Sequence, residues 1–446
     1  MSTLGTTTGT LASGSDFIGL NNAMKVFYQE PVWDNLVSES EVLDLYTADN
    51  DQQVFESLGG RWIELAHDMA DGGGSGARKE GGYIPQTTPP SYLNSKIYLK
   101  KNYMTTTMSS DAMRKVKQGP YAFITWISED LKKRVRRHRH HIDRQALGTG
   151  TGILCKVVSI AGSVITLGSN FGISGYSKSA FSLQINDLLR GGPNADGSSL
   201  RTGQMKITAI DYVNGTITVD AVAASLAAGD FLFLGDTSDN ASRKGGSTSG
   251  LDDSEMMGLF GIVDSATTNV LTSFQSLTRA TTPYWYGFSL DLSAAPYNGN
   301  FTEAAIQSGY DQVVEQGGGL PYFWLASRNG RRNYWAQLKT DRQFVNPTGF
   351  RGGEGPLSIL IDDREVGIKV ARKIPNEVSM LIDTTSLKRW QYGAGFEWDD
   401  TTGSIWRQVT DSTGVQDAFF AYGRFEAQTG CIAPAHNLIF TGLATV

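Results

Sequence analysis

The chain has 446 residues, 39 of them basic and 45 acidic, for a formal net charge of −6. Forty per cent hydrophobic residues and 51 glycines exclude a disordered chain and describe a turn-rich folded protein, long enough for two to four structural units. The acidic balance argues against a dedicated nucleic-acid binder, and two cysteines far apart, Cys155 and Cys431, exclude a disulfide framework or a thiolate metal site.

Residues 1–58 open as a Gly/Ser/Thr-rich tail and become short amphipathic pieces at Met24–Tyr28 and Leu36–Tyr46, the pattern of an arm. The first residues, Met1 to Thr6, lack the basic flank and apolar core of an export signal, and no apolar run reaches bilayer length. Synthesis in a cytoplasm and no membrane partner are expected.

Two alternating runs follow. Arg61 to His67 goes out and Ser95 to Met104 comes back, with the glycine-rich loop Asp71–Gly82 between them, so the pattern predicts a long two-stranded ribbon. An isolated ribbon is only marginally stable in water, so something outside the segment must brace it. Arg78, Lys79 and Glu80 at the tip are compatible with charged contacts to a neighbour or with simple loop solubility.

Gly119-Pro120 then breaks the chain, and Pro120 suits the first position of a helix. Ile124, Ile127, Leu131, Val135, Ile142 and Ala146 recur at helical steps, with His138 filling the gap, which predicts one apolar stripe against a core. Lys132, Lys133, Arg136, Arg137, Arg139 and Arg144 form a basic, solvated face, for which structural ion pairing is preferred over phosphate contact. At about 1.5 Å per residue, Pro120 to Leu147 spans roughly 42 Å, a spine on which other elements lean. Gly148 is expected to end it as a left-handed cap.

From 151 to 236 the period changes to short strands at Val157–Ile160, Val164–Leu167, Met205–Val213, Thr216–Val222 and Phe231–Leu234. Asn214-Gly215 marks a hairpin, and the stretch reads as a small β unit. Residues 237–250 read as a polar linker. Beyond it, a helix over Glu303–Glu315 capped by Thr302 and paired strands at Leu357–Asp362 and Glu365–Lys373 complete the chain.

The search for chemistry is negative. There is no phosphate-binding loop, nucleophile elbow, paired zinc histidines on a His-Glu-x-x-His helix or calcium loop. His138, His140 and His141 sit among arginines that oppose a metal cation, so a titratable basic face is the preferred reading and no cofactor is expected.

The order of these parts, with Met24–Tyr28, the ribbon, the spine ending in Asp143 to Gly152, and Leu277 to Trp285, resembles the major capsid proteins of tailed bacteriophages. The resemblance implies an α+β chain of the Hong Kong 97 capsid fold. It divides into an N-terminal arm (1–58), an extended E-loop (59–108), a spine-helix P-domain (109–150), a β insertion (151–236) and an A-domain with returning P-domain strands (237–446). It implies a non-enzymatic shell protein that self-assembles through hexamers and pentamers into an icosahedral head around double-stranded DNA, built in the host cytoplasm and kept in the virion. The E-loop lies across a neighbouring subunit in that family, which places inter-subunit contacts at Trp62, Arg78, Lys79, Glu80, Tyr98, Lys100 and Lys101. A separate scaffolding protein, a portal and a cementing protein are the further partners implied. An encapsulin-type nanocompartment and a carbohydrate-active phage enzyme are the alternatives.

Overall fold

The structure is a computed structural model, and it describes residues 42–48, 62–110, 123–197, 199–235, 255–265, 271–341, 358–361, 364–399, 405–411 and 414–445. The expectations for Met24–Tyr28, the helix start at Pro120 and the 237–250 linker lie outside the described residues.

A 3-10 turn at Leu43–Leu45 precedes strand β1 (Thr47–Ala48). Strands β2 (Ile63–Ala70), β3 (Ser91–Ile97) and β4 (Lys100–Ser109) lead to the long helix α1 (Phe123–Leu147). Six strands follow: β5 (Ile153–Ala161), β6 (Val164–Gly168), β7 (Leu188–Gly192), β8 (Met205–Asp211), β9 (Thr216–Val219) and β10 (Phe231–Leu234). Next come a short helix α2 (Leu259–Ile262), β11 (Ser273–Phe274), β12 (Leu277–Thr278), β13 (Phe288–Asp291), α3 (Glu303–Gln312), β14 (Phe323–Ala326) and α4 (Arg328–Asp341). The remaining strands are β15 (Ser358–Ile361), β16 (Arg364–Val370), β17 (Ser379–Ile382), β18 (Leu387–Trp398), β19 (Arg407–Asp411), β20 (Gly414–Cys431) and β21 (Leu438–Thr441). One compact unit takes in Lys101–His141 and Gly393–Glu426; the other takes in Glu41–Lys100, Ile142–Tyr392 and Ala427–Val446.

In the larger unit, β5 to β10 close into a barrel in the order β10-β5-β6-β9-β8-β7. Inward residues such as Leu154, Val157, Ile165, Leu189, Ile207, Ile217 and Leu232 give it a core of its own. Closure removes the exposed edges that a short sheet would present. The chain enters on β5 and leaves on β10, which are antiparallel neighbours with Phe233 opposite Ile153. Strand β7 has no counterpart in the sequence reading, because Leu-Leu-Arg-Gly-Gly is too short and too glycine-rich to alternate visibly. The β8–β9 hairpin forms, but through a four-residue loop in which the Asp211 carboxylate accepts from the Val213 and Asn214 amides at 2.9 and 3.1 Å.

The same unit holds a six-stranded mixed sheet, β13-β21-β17-β14-β16-β15. Its aromatic core sets Phe301 4.6 Å from Trp324 and 4.9 Å from Phe440, ring centre to ring centre. Helix α3 is capped as expected, with the Thr302 hydroxyl accepting from the Ala305 amide at 3.2 Å, and it continues as a π turn over Val313–Gly317. The two strands expected near 357–373 form the antiparallel pair β15–β16.

In the smaller unit, β4 pairs with β20, and the sheet continues through β19 and the end of β18. The sequence reading joined β3 and β4 into one returning strand. They separate at Tyr98-Leu99, because β3 pairs with β2 while β4 pairs with β20. Along α1, Lys132, Lys133 and Arg139 are exposed and Arg136 and Arg137 half-buried. Val135 was expected on the core stripe but is 40% exposed, whereas His138 is turned onto Phe396 with ring centres 5.5 Å apart. Burial, followed by the neighbouring His141, pushes the His138 imidazole down to about 4.

The last turn of α1, from Ile142 to Leu147, belongs to the larger unit and is buried on every side. Arg144 therefore leaves the solvated basic face: its guanidinium is buried and bidentate on Glu255, with one arm at 2.8 Å. Asp143 is also buried, accepting from the Val42 and Leu43 amides at 2.9 and 3.2 Å and from Lys373 Nζ at 2.6 Å. Tyr46 completes this junction by donating to the Ala146 carbonyl at 2.8 Å, and burial holds its phenol well above the usual range. The left-handed residues after the helix are Gly150 and Gly152, not Gly148. The tight position is Gly258, where a Cβ would sit 2.3 Å from the Gln145 carbonyl oxygen.

Candidate assembly interface

The ribbon is built by β2 and β3, antiparallel from Ile63–Ile97 to Ala70–Ser91. Its base is held within the larger unit. Ile63, Leu65 and Leu99 pack with the buried Ile97 and Trp390. The Lys96 amide donates to the Gln275 carbonyl at 3.0 Å, and the His67 ring meets Trp285 edge-on at 4.6 Å. Trp285 in turn donates to the Phe274 carbonyl at 2.9 Å, and the buried Arg279 donates to the Asp264 and Gly261 carbonyls at 2.5 Å. Residues Leu277 to Trp285, which carried part of the resemblance, thus brace the root of the ribbon.

Support stops toward the tip. Residues 71–81 are exposed, and Tyr83 and Ile84 are 96% and 87% exposed. Tyr92 at 60% extends the uncovered apolar surface back along β3. The two limbs nevertheless stay close: the Thr88 amide donates to the Gly73 carbonyl at 3.0 Å, and a Cβ on Gly72 would lie 2.8 Å from the Thr88 carbonyl oxygen. The glycines therefore let the limbs run side by side while little among the described residues covers them.

The expected contact residues divide by location. Arg78 is exposed and, among the described residues, donates to the nearby Tyr83 and Ala77 carbonyls, and Lys79 and Glu80 are exposed beside it. Trp62 lies at the root, donating to Glu64 at 3.0 Å beneath Lys96 and 6.0 Å from the Tyr98 ring. That hydrogen bond, with Lys96 adding to it, holds the Glu64 carboxyl below its usual range. Lys100 is buried at 8% exposure, because it begins β4 rather than ending the ribbon. Lys101 is exposed and lies 3.9 Å from Glu426 in the smaller unit. Sequence reasoning missed Tyr83 and Ile84, although an adjacent aromatic and β-branched residue after a glycine run was the available signal.

A ribbon rooted in one unit, a long helix, a mixed sheet with two helices and a barrel inserted after the helix define the class: this is an α+β chain with the Hong Kong 97 capsid fold. The particular structure that carries the comparison is the Cyanophage A-1(L) capsid asymmetric unit, matched with a TM-score of 0.53 and 10% identity over 95% of this chain and 99% of that one. A structure of Microbacterium phage Oxtober96 matches with a TM-score of 0.45 and 9% identity over 96% and 99% of the two chains. The holo-SrpI encapsulin complex from Synechococcus elongatus PCC 7942 matches with a TM-score of 0.41 and 6% identity over 95% of each. No protein-family model matches the chain, and no curated protein does.

Proposed function

We propose that this protein is the major capsid protein of a tailed phage, a structural rather than catalytic chain whose copies assemble into an icosahedral head around double-stranded DNA. The observation that carries this reading is the ribbon, rooted in its own subunit and bare at its tip, where Tyr83 and Ile84 are 96% and 87% exposed. Apolar surface held out on a shaped ribbon is surface for another copy to cover. Many such contacts, each weak, become strong when a closed shell makes them simultaneous. Hexamers and pentamers are the expected assembly units, assembled in the host cytoplasm with a separate scaffolding protein, a portal and a cementing protein as further partners. The exposed Lys132, Lys133 and Arg139 supply non-specific contact to the packaged DNA.

Negative-stain electron microscopy and size-exclusion chromatography of the purified chain, at low and high salt, test this. Closed shells, or pentamers and hexamers, are expected, and deletion of residues 72–82 should leave a folded subunit that does not assemble. Normal shells from the deletion variant would remove the ribbon's role. The nanocompartment alternative is separated in the same micrographs by what the shells contain.

A further inference from the structure

A cavity of about 240 Å³ lies in the larger unit where the segment between β6 and β7 meets the start of α4. Four cations line it, Lys178, Arg328, Arg332 and Arg372, and among the described residues no carboxylate does. They come from three separate stretches of chain, so the convergence is a product of the fold and not of a basic run. Arg372 is fixed in place, its guanidinium 5.1 Å from the Phe181 ring and 5.3 Å from the Tyr212 ring. Glu377, on the same seam, accepts from the Ser177 amide at 3.0 Å instead of lining the cavity.

Two of these cations contradict local helix rules. Arg328 and Arg332 are four residues apart on α4, a like-charge pairing that opposes the helix. They also occupy its first turns, where the helix dipole favours anions, and that first turn contains no acidic residue. Both are exposed, and neither makes an ion pair among the described residues. Sequence choices that break a local rule without compensation inside the fold are expected at functional sites.

We infer that this cavity is a binding site for a phosphate-bearing ligand. Three of the four cations are arginines, whose forked donors fit phosphate oxygens in bidentate fashion. Arg328 and Arg332 together carry two positive charges, of which a singly charged carboxylate would match one, whereas a phosphate monoester carries about −1.5 to −2 at neutral pH, and adjacent phosphodiesters supply one charge each. At about 30 Å³ per water of liquid volume, the cavity has room for a phosphate with its substituents or its hydration. The ligand is either a small phosphate or a nucleic-acid backbone, and the inference holds whether or not the chain forms a shell.

The test uses the full chain, wild type beside Arg328→Ala/Arg332→Ala and the charge-keeping Arg328→Lys/Arg332→Lys. Thermal unfolding is followed with inorganic phosphate, pyrophosphate or an oligoglutamate at matched ionic strength, and binding to a short DNA duplex is titrated against salt. If the source is a small phosphate, pyrophosphate raises the wild-type unfolding temperature above the chloride control. The alanine variant then loses at least half of that shift and the lysine variant keeps more of it. If the source is nucleic acid, the duplex binds and the slope of log affinity against log salt falls by about 1.8 in the alanine variant, two phosphate contacts at roughly 0.9 each. Equal responses of wild type and alanine variant to every probe overturn the inference, as does an oligoglutamate effect matching that of pyrophosphate. Circular dichroism of each variant establishes that it is folded, and since both arginines are exposed and alanine favours helix, both variants are expected to be.

Discussion

Replacing Tyr83 and Ile84 together by serine tests the proposed interface where its energy should lie. The two side chains are 96% and 87% exposed, so within the subunit almost none of their surface is protected. Fully covering a large apolar side chain is worth about 1.5–3 kcal/mol, which sets a ceiling of about 3–6 kcal/mol for the pair at each contact. Ordering the tip against a neighbour consumes part of that, and a net loss of roughly 1.4–2.8 kcal/mol weakens each contact about 10- to 100-fold. Because closure of a shell multiplies its contacts, the protein concentration at which particles first appear should rise by at least that factor. Light scattering across a dilution series measures this threshold, and thermal unfolding of the dissociated chain provides the control. Unfolding should not change, since Arg78 reaches the Tyr83 carbonyl and not its side chain. Particles forming at the wild-type concentration would refute the assignment, and so would a clearly lower unfolding midpoint, which would mean that the pair supports its own subunit.

Four further outcomes follow from the packing. Asp143→Asn should lower stability by about 3–5 kcal/mol by unbalancing the buried Lys373 ammonium, and adding Lys373→Met should recover much of it; denaturant midpoints with an unchanged slope would measure both. His138, whose pKa is lowered to about 4, favours its neutral form in the fold, so its contribution is complete above the ordinary 6.5 and fades as pH falls from there toward 4. Its size is about 3 kcal/mol, and His138→Leu should flatten stability against pH across that window. Gly258→Ala should cost about 1–3 kcal/mol, because its methyl group would collide with backbone at the end of α1 and not with a side chain that can swing away. A fragment spanning residues 152–235 should fold by itself and melt cooperatively as a β protein; a fragment without β circular dichroism would show that the barrel's core is insufficient alone.

The local elements were readable because their causes are local. The 3.6-residue spacing placed α1, Thr302 with its following helix placed α3, and period-two runs placed five of the six barrel strands. The fold class was readable from the order of parts. What went wrong at particular residues has one common cause. Val135 and Arg144 were assigned by the face they occupy, but a face acquires meaning only from the elements packed on it. Around the last turn of α1 those elements arrive from 100 to 230 residues away in sequence, as Leu43 and Lys373 do at Asp143.

The sequence by itself therefore determined that this chain holds a long basic helix, a ribbon with a glycine-rich end and a β insertion, since periodicity and turn chemistry act over a few residues. Only the tertiary structure decided that the insertion closes into a barrel, because closure rests on β10 meeting β5 and β7. It alone separated β4 from the ribbon and buried Lys100, left Tyr83 and Ile84 uncovered, and brought Lys178 and Arg372 to the arginines of α4. Which groups share an environment is set by long-range packing, and neither charge nor exposure has physical meaning until that environment exists.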